Sequence, residues 1–113
     1  MSISRGDIYL AALDPVVGRE IAKTRPVVVV SNNIGNKYSC TITIVPVTSQ
    51  KLKATYPFEL LLPKGSGNLP KTSKAKADQI RTLDKSRLIK KIGHLNQKDI
   101  AGLEKAITIH LGL

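Results

Sequence analysis

The sequence predicts a mainly β protein, in which a strongly curled antiparallel sheet forms a closed or half-closed small barrel with a helix on one side. Short apolar runs separated by Gly, Pro and Asn recur through the first two thirds of the 113 residues without a helical period. The valines Val27–Val30 place apolar side chains on both faces of one strand, so both faces need cover. A helical pattern appears only near the C-terminus.

Six strands are predicted, each bounded by turn-forming residues. They cover Asp7–Leu13, Arg25–Ser31, Cys40–Val47, Phe58–Leu62, Lys74–Ile80 and a short segment near Ile89–Leu95. Asn32–Lys37 is rich in Asn and Gly, which tolerate positive φ, so it predicts a turn that makes the second and third strands a hairpin. Pro63–Pro70 contains two glycines and predicts a second turn.

The fifth strand contains a break in its alternation. Ala75 and Ala77 share one face of the pleat, with the lysines beside them on the other, but Ile80 has the opposite parity. One extra residue would bring Ile80 back to the apolar face, which predicts a β-bulge near Asp78 and Gln79. A simple strand end is an equal alternative.

The last predicted element is a helix that begins after Asn96. Asn96 is a plausible N-cap, Asp99 follows it at the spacing of a capping box, and Leu95 can pack against Ile100 across the first turn. Its apolar residues recur at spacings of three and four and form one stripe, made of Ile100, Leu103, Ile107 and Leu111. This stripe is the expected cover for the valine-rich strand.

Composition predicts one domain over residues 1–113, with an aliphatic core and a polyanionic partner. Hydrophobic residues make up 42% of the chain, and the net charge is +10. The stretch Lys64–Lys91 holds nine basic and two acidic residues. Such lysines most often form a solvent-exposed face. The functional interpretation is that they bind nucleic acid or an acidic protein.

Several classes of protein are disfavoured. No apolar run reaches the roughly 18 residues of a membrane span, and the N-terminus lacks the layout of a signal peptide, so a cytoplasmic protein is predicted. Cys40 is the only cysteine, which excludes an internal disulfide, and a buried thiol is expected there. Phosphate-loop, zinc-protease and serine-hydrolase motifs are absent.

Histidine chemistry also finds little support. His94 and His110 are the only imidazoles, and acid–base cleavage of RNA by two histidines would need both at one phosphate. His110 falls in the last helical turn, where a cation favours the dipole, so a structural role is expected. His94 is left open between structure and function.

Arg25 is the basic residue that packing does not explain. Pro26 directs it toward an extended conformation and suits the first position of a strand, so its guanidinium should leave the sheet edge in a defined direction. A guanidinium held in this way can bind a phosphate through two hydrogen bonds and stabilise a pentacoordinate transition state. RNA cleavage needs little more, because the 2′-hydroxyl is a built-in nucleophile.

Five blocks of sequence together resemble the MazF/PemK family of toxins, the ribosome-independent endoribonucleases of toxin–antitoxin modules. The blocks are "RGDIYLAALDP", "GREIAKTRPVVVVSN", "TITIVPVTSQ", "YPFELLL" and "KADQIRTLDKSRL". The resemblance runs from Arg5 to about Leu95, and the C-terminal helix also fits. It implies an SH3-like barrel of antiparallel strands with short helices and a C-terminal helix, a homodimer with single-stranded RNA crossing its interface, and products with a 2′,3′-cyclic phosphate and a 5′-hydroxyl.

Carried over by position, the resemblance implies that Arg25 and Thr48 are catalytic and that no metal or cofactor takes part. The RNA-binding residues that it implies are Arg19, Glu20, Lys23, Ser49, Gln50, Lys76, Asp78, Gln79 and Arg81. It also implies a MazE-like antitoxin, with operator DNA reached only through the antitoxin complex. Lys76 departs from one branch of the family, which has a catalytic Arg there. It keeps the charge but loses the planar fork, so chemistry at Arg25 and Thr48 is favoured over the alternative centred on Lys76 and Asp78. Tyr56 and Phe58 are the nearest candidates for base stacking.

Two other functions remain as alternatives. A toxin resembling the gyrase poison CcdB would inhibit a protein and cleave nothing, and a basic RNA-binding barrel would have no activity. Neither needs an Arg before the valine strand together with Thr48, so this pair favours the nuclease.

Overall fold

The computed structural model describes residues 2–113 and contains one antiparallel sheet and two α-helices. The strands are β1 (Asp7–Ala12), β2 (Thr24–Val29), β3 (Thr41–Thr48), β4 (Glu59–Leu62), β5 (Ser73–Lys76), β6 (Arg81–Asp84) and β7 (Leu88–His94). The helices are α1 (Asn33–Tyr38) and α2 (Gln97–Leu111), and 3₁₀ turns cover Ser66–Asn68, Ala77–Gln79 and Lys85–Arg87. The predicted mainly β fold with a C-terminal helix is confirmed.

The long strand β3 organises the sheet. Strands follow the order β4-β5-β3-β2-β1-β7, and β6 also pairs with β3. Strand β2 takes one edge of β3, while β6 and then β5 take successive parts of the other. The sheet curls into a barrel-like form without closing, because β4 and β7 end the path.

The valine strand lies between two hydrophobic clusters, as its composition predicts. Val27 and Val29 face one cluster, while Val28 faces the other. The first cluster also contains Tyr9, Leu13, Ile42, Ile44 and Leu83. The second contains Ile8, Val45, Leu62, Leu95 and Leu103, and helix α2 covers it. Burial on both faces makes β2 a rigid base for the residues at its start.

Helix α2 begins as the sequence predicts. The Asn96 side chain accepts a hydrogen bond from the Asp99 N–H at 2.8 Å. Ile100, Leu103 and Ile107 pack against the second cluster. Leu111, predicted for the same stripe, is about half exposed and does not pack against this cluster.

The predicted turn between β2 and β3 is wrong in detail, because Asn33–Tyr38 forms helix α1. The pairing of β2 with β3 is nevertheless confirmed. Asn32 caps α1 by accepting a hydrogen bond from the Gly35 N–H, and Lys85 Nζ donates to the Asn36 carbonyl at 2.6 Å. This contact from the distant β6–β7 connection stabilises a helix that the local sequence does not predict.

The fifth strand is shorter than predicted, since β5 ends at Lys76 and the 3₁₀ turn Ala77–Gln79 follows. The predicted bulge is therefore wrong, and the alternative of a strand end is correct. The turn closes with a hydrogen bond from the Ile80 N–H to the Ala77 carbonyl at 3.2 Å. It returns Ile80 to the second cluster and starts β6, a strand that the sequence did not predict.

Cys40 is exposed, so the expected buried thiol is wrong. Pairing of β3 begins at Thr41, opposite Asp84, and Cys40 lies just outside it. The buried residues of β3 start at Ile42, so the thiol precedes the part of the strand that enters the core. Across residues 2–113, no helix is long and apolar enough to cross a membrane.

His94 is tied to a buried carboxylate at the other end of β1 from Arg25. Its Nδ1 lies 2.7 Å from Asp7 Oδ1, and Lys91 Nζ lies 3.3 Å from the same oxygen. Asp7 Oδ2 accepts the Ser4 N–H at 2.8 Å. Burial, together with the nearby Asp7 carboxylate, raises the pKa of Tyr9. This group joins the N-terminal turn to β7 and supports a structural role for His94.

Candidate active site

Arg25 and Thr48 lie opposite each other at one end of the β2–β3 pair. The register joins Val29 to Ile44 and Val27 to Pro46, and its continuation by two residues places Arg25 across from Thr48. Both side chains project on the face of the sheet that carries Val27 and Ile44, because side chains alternate along a strand. The hairpin thus brings together two residues that are far apart in the sequence.

Two clefts meet at this pair. The larger has a volume of about 410 Å³ and the smaller about 250 Å³, and Arg25, Thr48 and Gln50 line both. The larger cleft is also lined by Arg19, Lys51, Lys74, Lys76, Asp78 and Gln79. Leu10, Pro26, Leu69 and Pro70 give the smaller cleft a more apolar wall. Arg25 and Thr48 therefore form the ridge between a basic cleft and a more apolar one, which Lys71 also lines.

The wall of the larger cleft contains a buried carboxylate between two lysines. Glu59 in β4 faces Lys76 in β5. Lys76 Nζ lies 2.9 Å from Glu59 Oε2, and Lys74 Nζ lies 3.1 Å from Glu59 Oε1. The Tyr56 N–H donates to the same Oε1 at 3.1 Å. Burial alone would raise the pKa of Glu59, but the hydrogen bonds from Lys76, Tyr56 and Lys74 outweigh it and lower that pKa.

Gln79 fixes the loop that borders the larger cleft. Its Oε1 accepts the Ile21 N–H at 3.1 Å, and its Nε2 donates to the Arg19 carbonyl at 3.4 Å. The loop between β1 and β2 is therefore attached to the 3₁₀ turn after β5, across 58 to 60 positions of sequence.

The charge of the larger cleft suits a phosphate. Five basic side chains line it, namely Arg19, Arg25, Lys51, Lys74 and Lys76, against the single acid Asp78. With Glu59 behind the wall also counted, basic groups still outnumber acidic ones by five to two. Opposite charges attract strongly in a concave site, so a polyanion is the favoured ligand.

The family model described as "PemK-like, MazF-like toxin of type II toxin-antitoxin system" matches residues 4–111. The chain belongs to this family. It is 44% identical over 109 residues to a protein of Staphylococcus saprophyticus named "Endoribonuclease MazF", covering 96% of this chain and 91% of that one. The predicted family membership is confirmed.

Solved structures agree with the fold of this toxin. A crystal structure of MazF from Deinococcus radiodurans superposes with a TM-score of 0.85 at 26% identity, covering 100% of this chain and 99% of that one. A MazE-MazF crystal structure from the same organism gives a TM-score of 0.73 at 26% identity, covering 100% and 99%.

Most of the predicted site residues of the toxin gather in one place. Those that line the larger cleft are Arg19, Arg25, Thr48, Gln50, Lys76, Asp78 and Gln79, and Ser49 lines the smaller one. Three others are not among the lining residues of either cleft. Glu20 accepts the Val17 N–H at 2.6 Å within its own loop, the Lys23 carbonyl accepts the Leu13 N–H at 2.8 Å, and Arg81 donates to the Leu13 carbonyl at 3.2 Å.

Sequence reasoning missed Glu59, Lys74 and Lys51 as parts of the site. A signal for the first two was present, because an acid inside the apolar run "FELLL" and a Lys-x-Lys pair both fall in predicted strands. The structure also bears on Tyr56 and Phe58, the candidates for base stacking. Tyr56 and Phe58 stack on each other with ring centroids 5.5 Å apart, and Phe58 lies 6.4 Å from the His110 ring, so each ring already has an aromatic neighbour.

Proposed function

We propose that this toxin is an endoribonuclease that cleaves single-stranded RNA at specific sequences by attack of the 2′-hydroxyl, without a metal ion. The observation that carries the proposal is that Arg25 and Thr48 together line both clefts and form the ridge between them. The name of the Staphylococcus saprophyticus relative supports the activity. A gyrase inhibitor or a passive RNA-binding barrel has no use for this pair.

The chemistry follows from what the RNA brings to the site. The 2′-oxygen attacks phosphorus in line and loses its proton to water, while the bond from phosphorus to the 5′-oxygen breaks and that oxygen gains a proton from water. The products are a 2′,3′-cyclic phosphate and a 5′-hydroxyl. No external nucleophile is needed, so the task of the protein is orientation and charge stabilisation.

Arg25 and Thr48 share that task. The Arg25 guanidinium binds two non-bridging oxygens and stabilises the charge that builds up in the phosphorane. Thr48 donates its hydroxyl to a phosphate oxygen. An Arg is a poor general base because its free pKa exceeds about 12, so its role is electrostatic.

RNA binding uses the walls of both clefts. Arg19, Gln50 and Lys76 contact the backbone or bases in the larger cleft, with Asp78 accepting from base edges, and Ser49 contacts RNA in the smaller one. Glu20, Lys23 and Arg81 do not line either cleft, so they contact RNA only where it extends beyond the two clefts. Gln79 acts mainly through the loop that it fixes.

We propose the remaining biology at the level of the family. The toxin acts as a homodimer with RNA crossing the interface, inhibits translation by cutting mRNA, and is neutralised by a MazE-like antitoxin whose acidic segment occupies the basic cleft. The solved MazE-MazF complex supports such a partner. Operator DNA is reached only through the antitoxin complex.

The test uses purified toxin and a long single-stranded transcript in EDTA. The wild type should cut it and leave 2′,3′-cyclic phosphate ends, and mapping the ends gives the sequence preference. Arg25→Ala should reduce cutting by about 10³-fold, at the level of lost oxyanion stabilisation, with an unchanged melting temperature. Lys98→Ala, at an exposed position on α2, is the matched control and should cut normally. Full activity of Arg25→Ala, or no cutting by the wild type, would overturn the proposal.

A further inference from the structure

Lys74, Glu59 and Lys76 form a largely buried group beside the larger cleft. The side chains of Glu59 and Lys74 are 1% and 4% exposed, whereas that of Lys76 is 23% exposed. Each carboxylate oxygen of Glu59 contacts a different ammonium group. The carboxylate therefore fixes both lysines at once.

The two lysines have different amounts of freedom. Lys74 Nζ also donates to the Ala54 carbonyl at 3.1 Å, which leaves this nearly buried group little room for another ligand. Lys76 Nζ has Glu59 on one side and Asp78 Oδ1 only at 3.9 Å on the other. Because an ammonium group carries three donors, Lys76 keeps donor capacity toward the cleft.

The group also adjoins the ridge. Lys74 is the β5 partner of Thr48 in β3. Through Ala54, Lys74 holds the β3–β4 loop, whose first residues after Thr48 are Ser49 and Gln50. Glu59 thus affects the cleft in two ways. It fixes Lys76 directly, and through Lys74 it holds the β3–β4 loop.

Stability alone gives a weak reason for this arrangement. A buried ion pair recovers its desolvation cost only with good geometry, and well-packed apolar side chains often replace such pairs without loss. The neighbouring positions Leu60 and Leu62 of β4 are apolar and pack in the second cluster. What an apolar residue at position 59 would not supply is a fixed direction for the Lys76 ammonium group.

We infer that Glu59 is a positioning residue for RNA cleavage, which holds Lys76 Nζ in the cleft so that it binds a phosphate oxygen of the RNA backbone beside the Arg25–Thr48 ridge. This inference rests on the proposed endoribonuclease function. It assigns Lys76 direct contact with substrate, while Glu59 and Lys74 act through it and through the loop. A long, flexible lysine gains most from such support, because its ordering costs side-chain entropy.

A double-mutant cycle on cleavage tests the inference. Glu59→Gln and Lys76→Met are each expected to lower the single-turnover cleavage rate at saturating toxin about tenfold, and the double variant should be no slower than the slower single one. Glu104→Gln makes the same acid-to-amide change elsewhere and serves as the matched control. Glu104 pairs with Arg5 at 2.7 Å outside both clefts, and its variant should cut at the normal rate.

A purely structural Glu59 would give a different result. The two effects would then multiply to about a hundredfold, and that outcome, or full activity of Lys76→Met, would overturn the inference. If Glu59→Gln fails to fold because Lys74 is left buried without its partner, Glu59→Gln/Lys74→Met replaces it in the same cycle. Wild-type cutting and its loss in Arg25→Ala are measured in parallel, so failure of the proposed function is distinguished from failure of this inference alone.

Discussion

Two buried carboxylates in this toxin each contact two basic side chains, and they differ in what surrounds them. Glu59 holds Lys74 and Lys76, whose side chains are 4% and 23% exposed, in the wall of the larger cleft. Asp7 holds Lys91 and His94, which are both about half exposed, at the other end of β1 from the partner of Arg25. Similar groups thus lie beside the candidate site at one end and tie down the N-terminal turn at the other.

We expect burial of the basic side chains, more than burial of the acid, to decide what such a group does. A half-exposed cation can be hydrated if its acid is lost, whereas a buried one is left uncompensated. The group of Glu59 with Lys74 and Lys76 is therefore more costly to break, and it is better able to fix the direction of its ammonium groups.

The largest expected contrast is in the free energy of unfolding of Glu59→Gln and Asp7→Asn. Glu59→Gln should lower it by about 3 kcal/mol, because Lys74 remains buried without a counter-charge. Asp7→Asn should lower it by about 1.5 kcal/mol, the value of one charged hydrogen bond, because water can solvate Lys91 and His94. Urea denaturation at neutral pH measures both. Equal losses would contradict the proposed importance of cation burial.

A smaller effect is expected when the pH is lowered. The pKa of Glu59 is lowered from its ordinary value of 4.5 in the folded state. The stabilisation by this carboxylate is therefore fully present above about pH 4.5 and is lost as the pH falls through the lower, folded pKa. The difference in unfolding free energy between wild type and Glu59→Gln should be constant at neutral pH and shrink below about pH 4.5. A difference that grew on acidification would contradict this sign.

The smallest expected effect is that of Lys91→Met. Its ammonium group is half exposed and lies 3.3 Å from Asp7, so the loss should be below about 1 kcal/mol in unfolding free energy. Cleavage of RNA should stay at the wild-type rate, because Lys91 is not among the residues that line either cleft at Arg25. Melting curves and a cleavage assay check both points. Slower cutting would mean that the Asp7 cluster also serves the site.

Local patterns predicted the elements whose stabilising contacts are close in sequence. Val27–Val30 indicated a strand covered on both faces, and Asn96 marked the start of α2. Helix α1 was missed because its Asn and Gly residues also favour a turn, and because one of its stabilising contacts comes from Lys85, far along the chain. Strand β6 was missed because Leu83 is its only buried residue, which leaves no alternation to detect.

Most residues of the candidate site were predictable from the sequence, but its geometry was not. The hairpin of β2 and β3 was expected, and only the register shows that Arg25 faces Thr48. Lys74 looked like one of many solvated lysines, because its Lys-x-Lys pattern does not show which acid it contacts across the β4–β5 pair. Long-range pairing of charges cannot be read from a local pattern.

The attachment of the β1–β2 loop by Gln79 has a consequence for how this toxin can be re-engineered. Gln79 contacts only main-chain atoms of the loop, the Ile21 N–H and the Arg19 carbonyl. These two hydrogen bonds therefore do not depend on which side chain the loop carries at position 19. A library randomised at Arg19, with Gln79 and Glu20 kept, can vary the chemistry offered to the bases while the hydrogen bonds that hold the loop stay in place.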